Sequence, residues 1–174
     1  KRKFPRVTVD VLTYNTNRAP SKETYRGLSV YRIPCWEILP GQFTLPNPIA
    51  LIRILIKLVQ NKYRVVHTHL RFFDSTWWAW MYARIIGATS IFTEHVASRP
   101  VHENPTVELI ASVVDQTLAA WSLPRYDIVT VTNRSAQQFL NRTYHLPQTI
   151  RLIYGGVDTS YFYPVKRNMR AIPV

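Results

Sequence analysis

Val65-Val66-His67-Thr68-His69 is a β-branched run that ends on histidine, and Ser90-Ile91-Phe92-Thr93-Glu94-His95 repeats that ending a helix-length later. Apolar runs of this length fit strands buried in a parallel sheet. In open α/β sheets ligands bind beyond the carboxyl ends of the strands, where the chain leaves the sheet and polar groups converge. Two such strands in succession predict a cleft. A third phrase, Ile150-Arg151-Leu152-Ile153-Tyr154-Gly155-Gly156-Val157-Asp158, runs on to Phe162 and Pro164 and sets two glycines after a last short strand.

The segment between the two histidine-ended runs, 75–86, reads as a helix closed by Gly87 at a C-cap position. Strands are expected at 63–69, 88–94, 127–132 and 150–154. Helices are expected at 105–121 and from Asn133 or Ser135, either of which can cap, to about Tyr144. Alternating strands and helices from Tyr63 onward imply right-handed crossovers and a parallel sheet. Upstream, 7–14 and 28–33 read as strands and 15–26 as a polar loop. Residues 34–48 hold four prolines and Gly41 and read as irregular. Residues 49–61 read as a helix with Arg53 and Lys57 four apart on one face.

The chain has 174 residues, 47% of them hydrophobic, which is enough for one domain with a core and excludes a disordered class. Its longest apolar stretch, 49–59, is broken by Arg53 and Lys57 and is shorter than the roughly 20 residues of a membrane span. No apolar segment follows the basic start, as a secretory leader would require. The lone Cys35 has no partner for an internal disulfide, so a reducing, cytoplasmic setting is expected. A net charge of +12, densest in residues 1–33, favours anionic partners: nucleic acid, acidic lipid or phosphorylated small molecules. The basic residues are dispersed and no groove-reading or base-stacking motif is present, so a nucleic-acid-binding module is the secondary reading.

The order of the histidine-ended strands, then Tyr126-Asp127-Ile128-Val129-Thr130-Val131-Thr132, then Gly155-Gly156-Val157-Asp158 resembles the N-terminal domain of GT-B glycosyltransferases, specifically the retaining, sugar-nucleotide-dependent family 4. The resemblance covers nearly the whole chain. It implies an α/β fold: a Rossmann-like, doubly wound, mainly parallel sheet with helices on both faces. Residues 1–164 would form this domain. Residues 165–174 would be an interdomain linker or the start of a C-terminal domain that holds the sugar nucleotide, with Met169–Val174 as its first strand. Gly155 stands where the family has asparagine, a tolerable change if the turn is tight. The family's opening strand, Gly-rich loop and helix are not found before Val7. That strand sits centrally in such sheets. The remaining piece is therefore expected to be poorly stable alone, or to pack strand 7–13 against strand 64–69.

The resemblance favours His69 as the catalytic-site residue, contacting the donor sugar or positioning the acceptor hydroxyl, with His67 supporting it from lower in the strand. Both histidines could instead be satisfied core residues. Thr93, Glu94 and His95 could face His69 and bind sugar hydroxyls, or be loop polarity and a cap. Glu94 is not expected to be a nucleophile, because the leaving phosphate and the acceptor hydroxyl would share one face of the sugar. Arg71 could meet a phosphate, where a planar guanidinium is well matched, or be a solvated loop residue. Gly155 and Gly156 would let backbone approach a ligand, or simply make a turn; Asp158 would fix that turn. No metal site is expected, since no cysteine or carboxylate cluster joins His67, His69 and His95. No cofactor is expected beyond a nucleotide-sugar donor as co-substrate, with a hydroxyl of a glycan, lipid or small molecule as acceptor.

Trp77-Trp78-Ala79-Trp80 puts three tryptophans in four positions, which cannot all share one helix face. With the apolar 49–64 segment and its Arg53, Lys57, Lys62 and Arg64, they suggest a peripheral site on an anionic membrane, at its inner face, or else core packing of both helices. The expected activity is hexosyl transfer, absent from this piece alone because the donor-binding domain lies outside it.

Overall fold

A computed structural model describes residues 7–39, 43–156 and 161. The strands are β1 (Asp10–Tyr14), β2 (Lys22–Tyr25), β3 (Leu28–Ile33), β4 (Cys35–Leu39), β5 (Phe43–Pro46), β6 (Val65–His69), β7 (Thr89–Glu94), β8 (Ile128–Val131) and β9 (Arg151–Leu152). The helices are α1 (Pro48–Val59), α2 (Ser75–Ile86), α3 (Pro105–Val114), α4 (Ala120–Ser122) and α5 (Arg134–Thr143). A π-helical turn, Asp115–Ala119, joins α3 to α4, and a 3-10 turn, Leu123–Arg125, follows.

Strands β6, β7, β8 and β9 form a parallel sheet in that order, flanked by helices, which is a Rossmann-like α/β arrangement. Its core holds Phe92, Leu123, Val129, Val131 and Leu140, all fully buried. The expected boundaries hold closely at α2, where Gly87 closes the helix with φ +69°. Asn133, not Ser135, caps α5 by accepting from the Ala136 amide at 2.7 Å.

Two upstream expectations are corrected. Residues 15–26 are not all loop: β2 pairs antiparallel with β3 through a two-residue turn at Arg26 (φ +48°) and Gly27 (φ +79°). Positive φ at both positions is the turn that suits a right-twisted hairpin, and Arg-Gly was its sequence signal. Residues 34–48 are not irregular: β4 and β5 form a hairpin. Its prolines stand at the margins, with Pro34 before β4, Pro46 ending β5 and Pro48 opening α1, where a missing amide costs little.

Strand β1 pairs parallel with β3, and no ladder joins β1 to β6, so the expected packing of 7–13 directly on 64–69 does not occur. The free edges of β1 and β6 instead flank an apolar cleft of about 370 Å³. Leu12, Tyr14 and Ile33 line one side of it, and Val66, His67 and His69 the other. Side chains bridge both ends. The Tyr63 hydroxyl donates to Asp10 at 2.5 Å beside the start of each strand, and the Tyr14 hydroxyl donates to Asp74 at 2.6 Å past their finish. These ties show that β1 and β6 run in the same direction.

The tryptophans turn mostly inward. Trp78 Nε1 donates to Asp74 at 3.1 Å, and Trp80 Nε1 donates to the Arg125 carbonyl at 2.9 Å while its ring meets Trp121 edge-on. Trp77 is half-buried. Among the described residues no helix is long and apolar enough to cross a membrane. The expected linker at 165–174, with Asp158, Phe162 and Pro164, lies outside the described residues.

Candidate active site

Period-two alternation puts His67 and His69 on one face of β6 and buries Thr68 on the other. Their rings lie 4.3 Å apart between centroids. Parallel pairing in register sets His69 opposite Thr93, so His95, just past β7, comes within reach. His69 Nδ1 and His95 Nε2 are 3.0 Å apart, and one must donate to the other. His67 Nε2 meets the Thr93 hydroxyl at 2.6 Å, and Thr93 in turn meets the Thr130 hydroxyl at 2.6 Å. Thr93 is thus buried beneath the histidines. Asn133 holds the far side by donating from Nδ2 to the His95 carbonyl at 3.2 Å.

Burial, and then the neighbouring imidazoles, push the pKa of both His67 and His69 below its ordinary value. The shift favours the neutral imidazole. With its Nδ1 engaged by His95, its Nε2 is left to give or take a hydrogen bond, according to which of the pair holds the shared proton. Such a group can orient a hydroxyl and move its proton. Among the described residues no group of three or more His, Cys, Asp or Glu is arranged to hold a metal ion.

Arg71 lies where neither sequence reading put it. Leu70 takes a left-handed backbone, φ +64°, which is strained for a residue with a Cβ, and this turns Arg71 into the interior. The guanidinium is fully buried. It pairs with Glu94 at 2.8 Å and with Asp115 at 2.8 Å, and donates to the carbonyls of Val96, at 3.3 Å, and Ser98. The rings of Phe72 and Phe139 stack on it. Burial works to lower its pKa, but Glu94 and then Asp115 outweigh that, so the net shift is upward and the charge is fixed. A solvated loop arginine is excluded.

Glu94 is likewise internal. One carboxylate oxygen takes Arg71, and the other accepts the backbone amides of His95 and Val96, both at 2.9 Å. Asp115 also accepts the Tyr144 hydroxyl at 2.6 Å. The π-helical turn that begins at Asp115 delivers this carboxylate, a local widening of the helix often found near sites. Sequence reading missed Asp115, Tyr144 and Asn133; Asn133 alone carried a signal, as a helix cap. The network fixes the segment that carries His95 and stands behind the imidazoles rather than in the cleft.

Gly155 and Gly156 follow β9 and are exposed. A Cβ on either would meet nothing within 4 Å, and neither has positive φ, so neither close approach nor a tight turn requires glycine here.

With this geometry in hand, the comparison with known sequences is direct: the profile of Glycosyltransferase Family 4 matches residues 5–161. The chain belongs to glycosyltransferase family 4. The family is one of glycosyltransferases. It is also similar to a phosphatidylinositol N-acetylglucosaminyltransferase subunit from Arabidopsis thaliana, with 27% identity over 156 residues. That match covers 85% of this chain and 32% of the relative, so the chain spans about a third of that protein's length. In this family 4 chain the imidazoles of His69 and His95 form a polar cluster at the carboxyl ends of β6 and β7, and His69 lines the cleft.

Proposed function

We propose that this chain is the acceptor-side part of a retaining GT-B transferase that moves a hexose from a nucleotide-sugar to a hydroxyl group. The main support is His69, tied to His95 at the carboxyl end of β6 and facing the cleft, in a family 4 chain. In this reading His69 Nε2 orients the acceptor hydroxyl or a donor-sugar hydroxyl, and His95 sets its tautomer. Thr93 and Thr130 hold His67 beneath. Arg71, Glu94 and Asp115 stiffen the loop that carries His95. Gly155 and Gly156 stand near the junction with a nucleotide-binding domain outside this chain. No metal or cofactor takes part in this reading.

The name of the Arabidopsis relative refines the substrates: N-acetylglucosamine as the sugar and phosphatidylinositol, a lipid at a membrane surface, as the acceptor. The reaction then takes place at the inner face of a membrane. The test is transfer of radiolabelled sugar by the full-length enzyme with His69→Ala. The expected result is a loss of roughly a hundredfold or more in kcat, the range for a positioned acid–base or orienting group. Transfer at near wild-type rate removes His69 from the site. Chain 1–174 by itself is expected to transfer no sugar, and measurable transfer would refute its reading as a partial enzyme.

A further inference from the structure

Helix α1 is apolar on two opposite sides. Leu51 and Leu58 are buried, with Leu58 packed beside Tyr31 and Tyr82. The opposite side exposes Ile49 (61%), Ile52 (57%), Ile56 (65%) and Val59 (44%). These four recur at spacings of three and four residues and form one continuous stripe along the helix. Helices apolar all round are ordinarily covered on all sides. Among the described residues nothing covers the outer stripe.

What surrounds the stripe tells what would cover it. At 100° per residue, Arg53 and Lys57 lie along one flank, both exposed. The helix contains no acidic residue, and neither cation makes an ion pair with any described residue. Lys62 and Arg64 continue the basic character past its end. The β4–β5 hairpin leads straight into this helix: the Asn47 amide donates to the Pro34 carbonyl at 2.8 Å, which ties the hairpin's base to the start of α1. On that hairpin Trp36 (55%) and its cross-strand neighbour Leu45 are exposed together. A β-branched stripe flanked by cations, on a helix that follows a hairpin with an exposed tryptophan, suits a lipid interface, where the apolar face enters the acyl boundary and the cations reach phosphates.

A second copy of this chain fits less well. Stripe-on-stripe packing would bring Arg53 and Lys57 toward their own counterparts with no carboxylate in the helix to offset them. Helix α3 gives a contrast within the molecule. It also exposes Leu109, Ile110 and Val113, but it has Glu108 in its first turn and no basic residue in its last. An anionic surface would not favour that face.

We propose that the outer face of α1, with Trp36 and Leu45 of the adjoining hairpin, is a docking surface for an anionic lipid bilayer. The surface is defined by exposure and charge, not by the transfer reaction, and it gives a lipid-acceptor reaction its place at the membrane.

The test is co-sedimentation of the full chain with phosphatidylcholine vesicles, with and without roughly one-third phosphatidylserine, over a salt series. Binding to the anionic vesicles that weakens with salt is expected. Arg53→Gln with Lys57→Gln should weaken it about thirtyfold, since each cation near an anionic surface contributes about 1 kcal/mol. Ile52→Ser with Ile56→Ser should weaken it by at least about tenfold, and Leu109→Ser with Val113→Ser should leave it unchanged. All positions changed are exposed, and thermal melts verify that each variant is folded. A fluorescent label on Ile56→Cys, in a Cys35→Ser background, should brighten with anionic vesicles, and one on Leu109→Cys should not.

No binding by the wild type, or equal binding by the α1 variants, overturns the proposal. So does a change in oligomeric state of Ile52→Ser/Ile56→Ser without a change in vesicle binding, which would make the face a protein interface. Vesicle binding by this chain, together with near wild-type transfer by the full-length His69→Ala enzyme, would leave this proposal standing and remove only the functional reading.

Discussion

The β6–β9 sheet and the β1–β3–β2 sheet have the same chemistry of strands but are held in different ways. In the first, parallel ladders run unbroken and the core beneath is closed: Phe92, Val129 and Val131 expose nothing. In the second, Ile33 alone is fully buried, and the sheet meets the rest through α1, the Tyr31–Leu58–Tyr82 cluster and polar bonds across an apolar cleft. Main-chain pairing needs no particular side chain, whereas bridging by side chains depends on each one. The larger sheet should therefore tolerate substitution at its surface and fail only at its buried charges; the smaller should detach when single hydroxyls are removed.

The sharpest way to break the larger sheet is Arg71→Met. It leaves the Glu94 and Asp115 carboxylates buried without their cation, which costs about 3–5 kcal/mol. Urea unfolding followed by circular dichroism should show that loss. A loss under about 1 kcal/mol would mean the network is dispensable and the two sheets are not held differently. Next comes Tyr14→Phe, which removes one of two side-chain donors to the half-buried Asp74 and should cost about 1 kcal/mol. Hydrogen exchange should quicken in β1 and β3 and stay slow in β7 and β8. Uniform quickening would show that the halves open as one unit.

The smallest effect is with pH. His67 and His69 titrate below their ordinary 6.5 when folded, so below pH 6.5 the unfolded chain binds more protons than the folded one. Their contribution is complete above 6.5 and declines as pH falls toward the folded values. Asp74, raised by burial, acts in the opposite sense, so a control lacking only the histidines is needed. Between about pH 7.5 and about pH 5.5 the wild type should lose more melting temperature than His67→Gln/His69→Gln. Equal losses would place the effect elsewhere.

The same contrast explains what could be read from sequence. From Val65 onward β6, β7 and β8 are runs of apolar and β-branched residues, α2 closes at Gly87, and α3 and α5 open on asparagine caps, so the elements fell in order. Upstream, β2 has three charged or polar residues in four, and prolines stand at the margins of β4 and β5, so pairing there shows only in the partner strand. The imidazole cluster was legible because alternation along β6 and register with β7 fix it. The burial of Arg71 was not: it depends on Leu70 taking a left-handed turn and on Asp115 arriving from a π-helical turn, and helical periodicity at 105–121 carries no mark of either.

The cleft between β1 and β6 bears on how this molecule behaves in a crowded solution. Open strand edges are where one protein adds to another and aggregates begin. Here the two edges look at each other across a narrow gap. An extended segment entering between them would meet main-chain groups on both sides that no ladder among the described residues uses.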